Sequence, residues 1–250
     1  MLVITDDPGM RDLFAALSGQ HAFEARLSQG DHEAIRLCQQ GDIDLVVLDI
    51  AITGRAGFDT CRRLRAAGVD LPIVMVSALT DPVDVVVGLE IGADDYITKP
   101  FEARVLAARI STKLRRQRSS LAQPRNGRIT YPGLVVDVGR HEVLRDGEPV
   151  SLTPTEFDLL SLLCASPGRV VSRAEMIQKV WGQDADLDLR SVDAHVYRLR
   201  RKIEPDGPRP TYIHAVPGIG YRFERRGLAG RLAQAGPPSA ATPPPDDRRR

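Results

Sequence analysis

The sequence predicts an α/β fold, a doubly wound five-stranded parallel sheet, followed by a smaller α+β domain in winged helix-turn-helix order. Three observations predict it. Short Val/Ile/Leu runs alternate with helical periodicity through the first half of the 250 residues, as in a parallel sheet covered on both faces. Two helix-start signals, a long helix with a basic side and a glycine-rich turn follow in the second half. Charge also divides the chain. Residues 1–113 hold 11 Lys+Arg against 17 Asp+Glu, net −6, and residues 114–250 hold 23 against 16, net +7. An acidic front and a basic back point to separate tasks, the second at a polyanion.

Leu2–Thr5, Asp44–Asp49, Pro72–Ser77 and Tyr96–Thr98 read as strands, with Ala22–Leu27 a weaker fifth. Helical patterns occupy Arg11–Leu17, His32–Gln40, Phe58–Ala67, Val83–Ile91 and Glu102–Arg115. Right-handed crossovers then give one doubly wound layer over residues 1–115. Residues 116–128 lack periodicity, carry Pro124 and Gly127 and read as a flexible linker.

The second domain, residues 129–226, opens with short strands in which Asp146-Gly147 marks a hairpin. Thr153-Pro154-Thr155-Glu156 and Ser172-Arg173-Ala174-Glu175 are capping boxes, launching helices over Phe157–Ala165 and to about Val180. Arg190–Ile203 is the third helix, and Tyr212–Phe223 holds two strands turning at Pro217-Gly218. The Pro/Ala-rich residues 227–250 read as a disordered tail. No apolar run reaches the roughly 18 residues of a membrane span. The three cysteines, Cys38, Cys61 and Cys164, have neither paired nor metal-type spacing, as in a reduced cytoplasmic protein.

A doubly wound sheet places its chemistry beyond the carboxyl ends of its strands. Asp6 and Asp7 follow the first strand there, Asp49 ends the third, Ser77 the fourth, and Lys99 follows the fifth. Around them, Leu45–Asp49 (LVVLD) and Gly92–Phe101 (GADDYITKPF) resemble the receiver domain of response regulators, a flavodoxin-like fold. The resemblance implies that Asp49 accepts a phosphoryl group from a histidine kinase and that Ser77 and Lys99 bind the phosphoryl oxygens. It implies Mg²⁺ on Asp6, Asp49 and the Ala51 carbonyl, with Asp7 a further candidate, and an aromatic switch at Tyr96. Phosphoryl transfer asks for little else than an in-line nucleophile, a hard cation and donors that spread charge. The sequence departs from the family at Thr5, where a second acid is usual, and at Thr53, where proline is usual. One carboxylate fewer should weaken Mg²⁺ binding.

The same resemblance implies a homodimer through the fourth helix, fifth strand and fifth helix. Of the charged residues expected there, Asp94, Asp95 and Arg109 are present, whereas one expected ion pair has become Val87 and Val105. An ion pair replaced by packed apolar residues can be neutral or stabilising, so a greasier contact, less dependent on phosphate, is expected.

On the third helix of the second domain, Val192, Val196, Leu199 and Ile203 fall on one stripe, the expected buried face. Arg190, Ala194, Tyr197, Arg198 and Arg201 fall opposite. Thr153–Leu163 (TPTEFDLLSLL), Arg190–Lys202 (RSVDAHVYRLRRK) and Val216–Phe223 (VPGIGYRF) resemble the OmpR/PhoB-type DNA-binding domain. That resemblance implies double-stranded DNA as partner, with Ala194, Arg198 and Arg201 at base edges and Arg190, His195 and Arg200 towards phosphates. Pro217 stands where an arginine is frequent in the wing, leaving Arg222 beside Tyr221. The loop Trp181–Leu189 matches one that touches RNA polymerase in family activators.

The leading expectation is a transcription regulator controlled at Asp49. The alternative is an orphan regulator that pairs and binds DNA without phosphate. An enzyme, such as an aspartyl-phosphate hydrolase, would carry a second acid two residues after its nucleophile, and Ala51 stands there. No P-loop, dinucleotide fingerprint or Cys/His metal spacing appears, so no catalytic function is expected.

Overall fold

The computed structural model describes residues 1–20, 23–28, 30–50, 56–122, 127–182, 187–205 and 210–224. Its first half alternates β1 (Leu2–Ile4), α1 (Pro8–Gln20), β2 (Arg26–Ser28), α2 (Asp31–Gln39), β3 (Val46–Ile50), α3 (Ala56–Ala66), β4 (Ile73–Ser77), α4 (Pro82–Ile91), β5 (Asp95–Thr98) and α5 (Ala103–Ala122). The five strands are parallel in the order β2-β1-β3-β4-β5. The order reverses between β1 and β3, which opens the ligand crevice beyond their carboxyl ends.

Successive residues of a strand point to opposite faces, and both faces are covered. Leu2, Ile4, Val46, Leu48, Ile73 and Met75 pack under α2, α3 and α4. Val3, Val47, Val74 and Val76 pack under α1 and α5. The continuous apolar runs follow from this double burial.

The second half begins with an antiparallel sheet of β6 (Arg128–Tyr131), β7 (Leu134–Asp137), β8 (Glu142–Arg145) and β9 (Glu148–Pro149). Asp146 and Gly147 both take positive φ between β8 and β9, the conformation a two-residue hairpin turn requires. Then come α6 (Pro154–Cys164), β10 (Val170–Ser172), α7 (Arg173–Val180), α8 (Leu189–Ile203), β11 (Ile213–Val216) and β12 (Gly220–Phe223). The last two strands form the wing, and with β10 they make a second antiparallel sheet in the order β10-β12-β11. This half has its own core, in which Val192, Val196, Leu199 and Ile203 of α8 meet Leu160 and Leu163 of α6 and Met176 of α7. The Glu204 carboxylate accepts hydrogen bonds from the backbone N–H groups of Thr211, Tyr212 and Ile213, tying the end of α8 to β11.

The structure departs from the sequence expectation at two points in these elements. α5 continues to Ala122, through the first part of the expected linker. The box at Thr153 is reciprocal, but at Ser172 only half forms. The Glu175 carboxylate that should return to the cap is held instead by Arg169, at 2.8 and 3.0 Å. The tail 227–250 lies outside the described residues. No described helix is long and apolar enough to cross a membrane.

Gly220 is where β12 runs closest to β10, and a Cβ there would lie 2.0 Å from the Val171 carbonyl oxygen. Gly220→Ala should separate the two strands and cost about 1–3 kcal/mol, the usual range for overpacking. Thermal or urea unfolding of the variant measures it.

Candidate functional sites: the acidic crevice and the basic helix

At the strand ends, Ile4 lies beside Leu48, and Asp49 and Ile50 lie beside Val76 and Ser77. Thr5, Asp49, Ser77 and Lys99 therefore converge on one crevice. The Asp49 side chain is only 3% exposed. Its Oδ2 accepts a hydrogen bond from the Thr5 hydroxyl at 2.7 Å, and its Oδ1 faces the Lys99 ammonium at 2.8 Å. That Oδ1 is buried and accepts no hydrogen bond. Lys99 also contacts Asp7 Oδ2 at 3.3 Å. Asp7 caps the start of α1 through Gly9, and this bond, with Lys99, lowers its pKa. Asp6 lies at the rim, exposed. Ala51 and Thr53 lie outside the described residues.

Ser77 is fully buried, and its Oγ accepts a hydrogen bond from the Leu79 N–H at 3.0 Å. Tyr96 is turned inward. Its ring is buried, its hydroxyl donates to the Leu79 carbonyl at 3.1 Å, and burial raises its pKa. A Cβ on Gly88 would lie 2.9 Å from that ring, so the glycine makes room for the inward pose.

The dimer-face residues are placed differently from the expectation. Asp94 is completely buried and Asp95 nearly so. Asp95 pairs with Arg109 of its own chain at 3.0 Å. Val87 is half-buried against the receiver core, and only Val105 stays exposed. Val85, Val86 and Val105 line a cleft of about 430 Å³, together with Leu187, Asp188, Arg190 and Ser191.

The basic helix departs further. Arg190, Tyr197 and Arg201 are exposed as expected, but Ala194, His195 and Arg198 are buried, at 2%, 0% and 8% exposure. α8 packs against α4, and the Ala194 methyl enters the core formed by α3, α4 and β4. Arg198 donates to the Ala93 carbonyl at 3.0 Å, contacts His195 Nδ1 at 2.9 Å and lies 3.3 Å from Glu156. Arg200, expected at phosphates, donates to the Ile213 carbonyl at 2.7 Å and lies over the Tyr221 ring. Arg222 pairs with Glu224 at 2.5 Å.

Asp94 is the centre of this contact. Its Oδ2 accepts from Arg65 at 2.6 Å and from the Ile73 N–H at 3.0 Å, and its Oδ1 accepts from Thr153 Oγ1 at 2.7 Å. Its carbonyl accepts from Trp181 Nε1 and Lys113 Nζ, both at 3.1 Å. Arg65 and Arg198 hold the carboxyl far below the usual carboxylate range, against the opposing effect of its burial. Ser151 adds a hydrogen bond to Asp70. Sequence reasoning missed Thr153 and Trp181 as members of the site. Thr153 carries an obvious signal, but for capping, which it also performs.

Two family descriptions match. "Response regulator receiver domain" covers residues 1–111, and "Transcriptional regulatory protein, C terminal" covers 147–223. The sensory transduction protein RegX3 of Mycolicibacterium smegmatis is 40% identical over 225 residues, which is 90% of this chain and 98% of the relative. The DNA-binding response regulator MtrA of the same organism is 40% identical over 222 residues, 89% and 95% of the two chains. Among solved structures, a mutant of RitR superposes with a TM-score of 0.69 at 28% identity, over 90% of this chain and 98% of that one.

His195 makes the contact between α8 and the first half sensitive to pH. Burial, then Arg198, holds its pKa well below the usual value, and Asp94 only partly opposes them. Lys113 and Arg65 add further positive charge nearby, and the Trp181 ring lies tilted against the imidazole at 5.0 Å. Freed into solvent, the imidazole would regain a pKa of about 6.5. The separated form then binds more protons below that value, so the contact is at full strength above about pH 6.5 and weakens as pH falls below it. Asp94 titrates too low to contribute there. The emission of Trp181, the only tryptophan, should shift to the red between about pH 7 and pH 5.5 as the imidazole gains its proton, and His195→Gln should flatten the shift.

Proposed function

Because the chain belongs to the OmpR/PhoB-type two-component response regulators, which join a receiver to a DNA-binding domain, we propose that phosphorylation of Asp49 by a histidine kinase controls its sequence-specific binding to duplex DNA. The observation that carries this reading is the Asp49 carboxylate. It is almost wholly enclosed at the end of β3, with an ammonium at 2.8 Å from an oxygen that no hydrogen bond satisfies.

In the transfer, an Asp49 oxygen attacks the phosphorus of the kinase phosphohistidine in line. The P–N bond breaks, and the imidazole leaves with its electron pair and takes a proton from solvent. Lys99 follows the negative charge from Oδ1 to the phosphoryl oxygens. Ser77 releases the Leu79 N–H to donate its own proton to one of them, and Tyr96, bonded to the same Leu79, feels the change. The product adds about −1.5 to −2 charge.

The donor set suits Mg²⁺, which needs few protein oxygens and keeps several waters. The Asp49 Oδ1, which accepts no hydrogen bond, and the exposed Asp6 carboxylate would hold it, with the Ala51 carbonyl a further ligand. When bound, the cation neutralises charge on the transferring group. Thr5 supplies a hydroxyl where the family has an acid, so the ion is held more weakly. Among the described residues no cluster of three acidic, His or Cys ligands forms.

On the DNA side, Arg198 and Arg201 read guanine edges beside Ala194, with Arg190 and His195 at phosphates. Homodimers pair through α4, β5 and α5, and the loop Trp181–Leu189 meets RNA polymerase. A second reading, pairing without phosphate, draws on Thr5. With its hydroxyl on Oδ2 and Lys99 on Oδ1, Asp49 already has the partners a phosphoryl group would bring.

Incubation with acetyl phosphate and Mg²⁺ decides between the two. Wild type should gain the mass of one phosphoryl group and form dimers, and Asp49→Asn should do neither. A wild type that stays unmodified yet dimerises supports the second reading. Thr5→Asp should tighten Mg²⁺ binding roughly tenfold, read by titration calorimetry. Arg201→Ala should cost about 1–3 kcal/mol of discrimination at one base pair, read by competition binding between operator variants.

A further inference from the structure

The cleft of about 430 Å³ beside α4 has no part in phosphoryl transfer, and its size falls within the roughly 300–1,000 Å³ of ligand pockets. Residues of α4, β5 and α5 line it together with residues before and in the first turn of α8. It therefore lies where two domains meet, a preferred place for such pockets.

Two properties of the lining define what it can hold. The first is an apolar wall, to which Pro82, Val85, Val86, Phe101, Val105 and Leu187 contribute. Val105 stays 39% exposed, and apolar surface left open to water inside a polar rim marks a binding site. A charged residue is expected at Val105, so the apolar wall there is a feature of this chain. The second property is charge. Four charged residues line the cleft, namely Glu102, Arg109, Asp188 and Arg190. Three of them are engaged. Glu102 pairs with Arg104, Arg109 pairs with Asp95, and Asp188 accepts the backbone N–H of Arg190. The exposed Arg190 guanidinium pairs with no acid among the described residues. One uncompensated cation calls for one negative charge, and a planar guanidinium matches a carboxylate through two parallel hydrogen bonds. A phosphate monoester carries about −1.5 to −2 charge, and in this lining the excess would be repelled by Glu102 and Asp188.

We propose that the cleft binds a small monocarboxylate with an apolar body, its carboxylate on Arg190 and its body against the valines. A molecule seated there touches both domains at once and favours the arrangement in which they meet. The chain thereby gains a chemical input separate from Asp49, and the inference depends on neither the phosphorylation nor the DNA reading.

The test titrates the full chain by calorimetry with 2-naphthylacetate and with octanoate, each matched by its uncharged amide. At least one acid should bind saturably at a single site, and the acid preferred distinguishes a ring-shaped body from a chain-shaped one. Its amide should bind about tenfold more weakly, the value of one charge-assisted hydrogen bond. Arg190→Gln should abolish the preference for acid over amide. Val105→Glu, which sets a like charge in the apolar wall, should weaken the acid by about tenfold or more. Both side chains are exposed, so neither change disturbs the core. The proposal falls if neither acid binds saturably, if the amide binds as well as its acid, or if either variant binds the acid as the wild type does.

Discussion

A carboxylate with no access to water organises this molecule. Removing an ionised carboxyl from solvent costs several kcal/mol unless charge and hydrogen bonds replace the lost water. Asp94 obtains that replacement from both halves of the chain. Arg65 and the Ile73 N–H bind one oxygen from the receiver, and Thr153 binds the other from the first turn of α6. Arg65 is itself fixed by the carbonyls of Val69, Leu71 and Gly92. The relative placement of the two domains thus follows from the partners one acid needs. Thr153 is central because its hydroxyl donates to Asp94 while accepting from the Glu156 N–H. The cap of a helix in one domain is also a ligand of the other.

The crevice and the contact between α4 and α8 are not remote. Tyr96 belongs to the strand that begins one residue after Asp94, and its hydroxyl bonds Leu79, whose N–H bonds Ser77. The ring also presses on Gly88, in the middle of the helix against which α8 packs. Ser77, Leu79, Tyr96 and Gly88 thus form one line of contiguous contacts from the crevice to α4.

Most of the fold was legible because its signals are local. Double burial writes itself as unbroken apolar strands, Asp146-Gly147 announces its hairpin, and the Thr153 box launches α6 as read. The crevice was legible too, since strand ends in a parallel sheet converge whatever the side chains. The second box half-failed because Arg169, outside its four-residue window, competes for Glu175. The exposed face of α8 was misread for a related reason. A helical wheel correctly divides Val192, Val196, Leu199 and Ile203 from Ala194 and Arg198, but it assigns the second set to solvent by default. Nothing in the periodicity of one helix can report that another domain covers it. Asp94 and Asp95 were equally opaque, because adjacent acids read as surface until Arg65, far earlier in the chain, is seen beside them.

The methyl of Ala194 packs into the receiver core where a small side chain fits, at a position proposed to face a base. Any drift towards a longer residue there would also unseat α8 from α4. One carbon atom therefore ties the two domains together, so a lineage of this regulator that lengthened this residue would be expected to carry a compensating change in the fourth receiver helix.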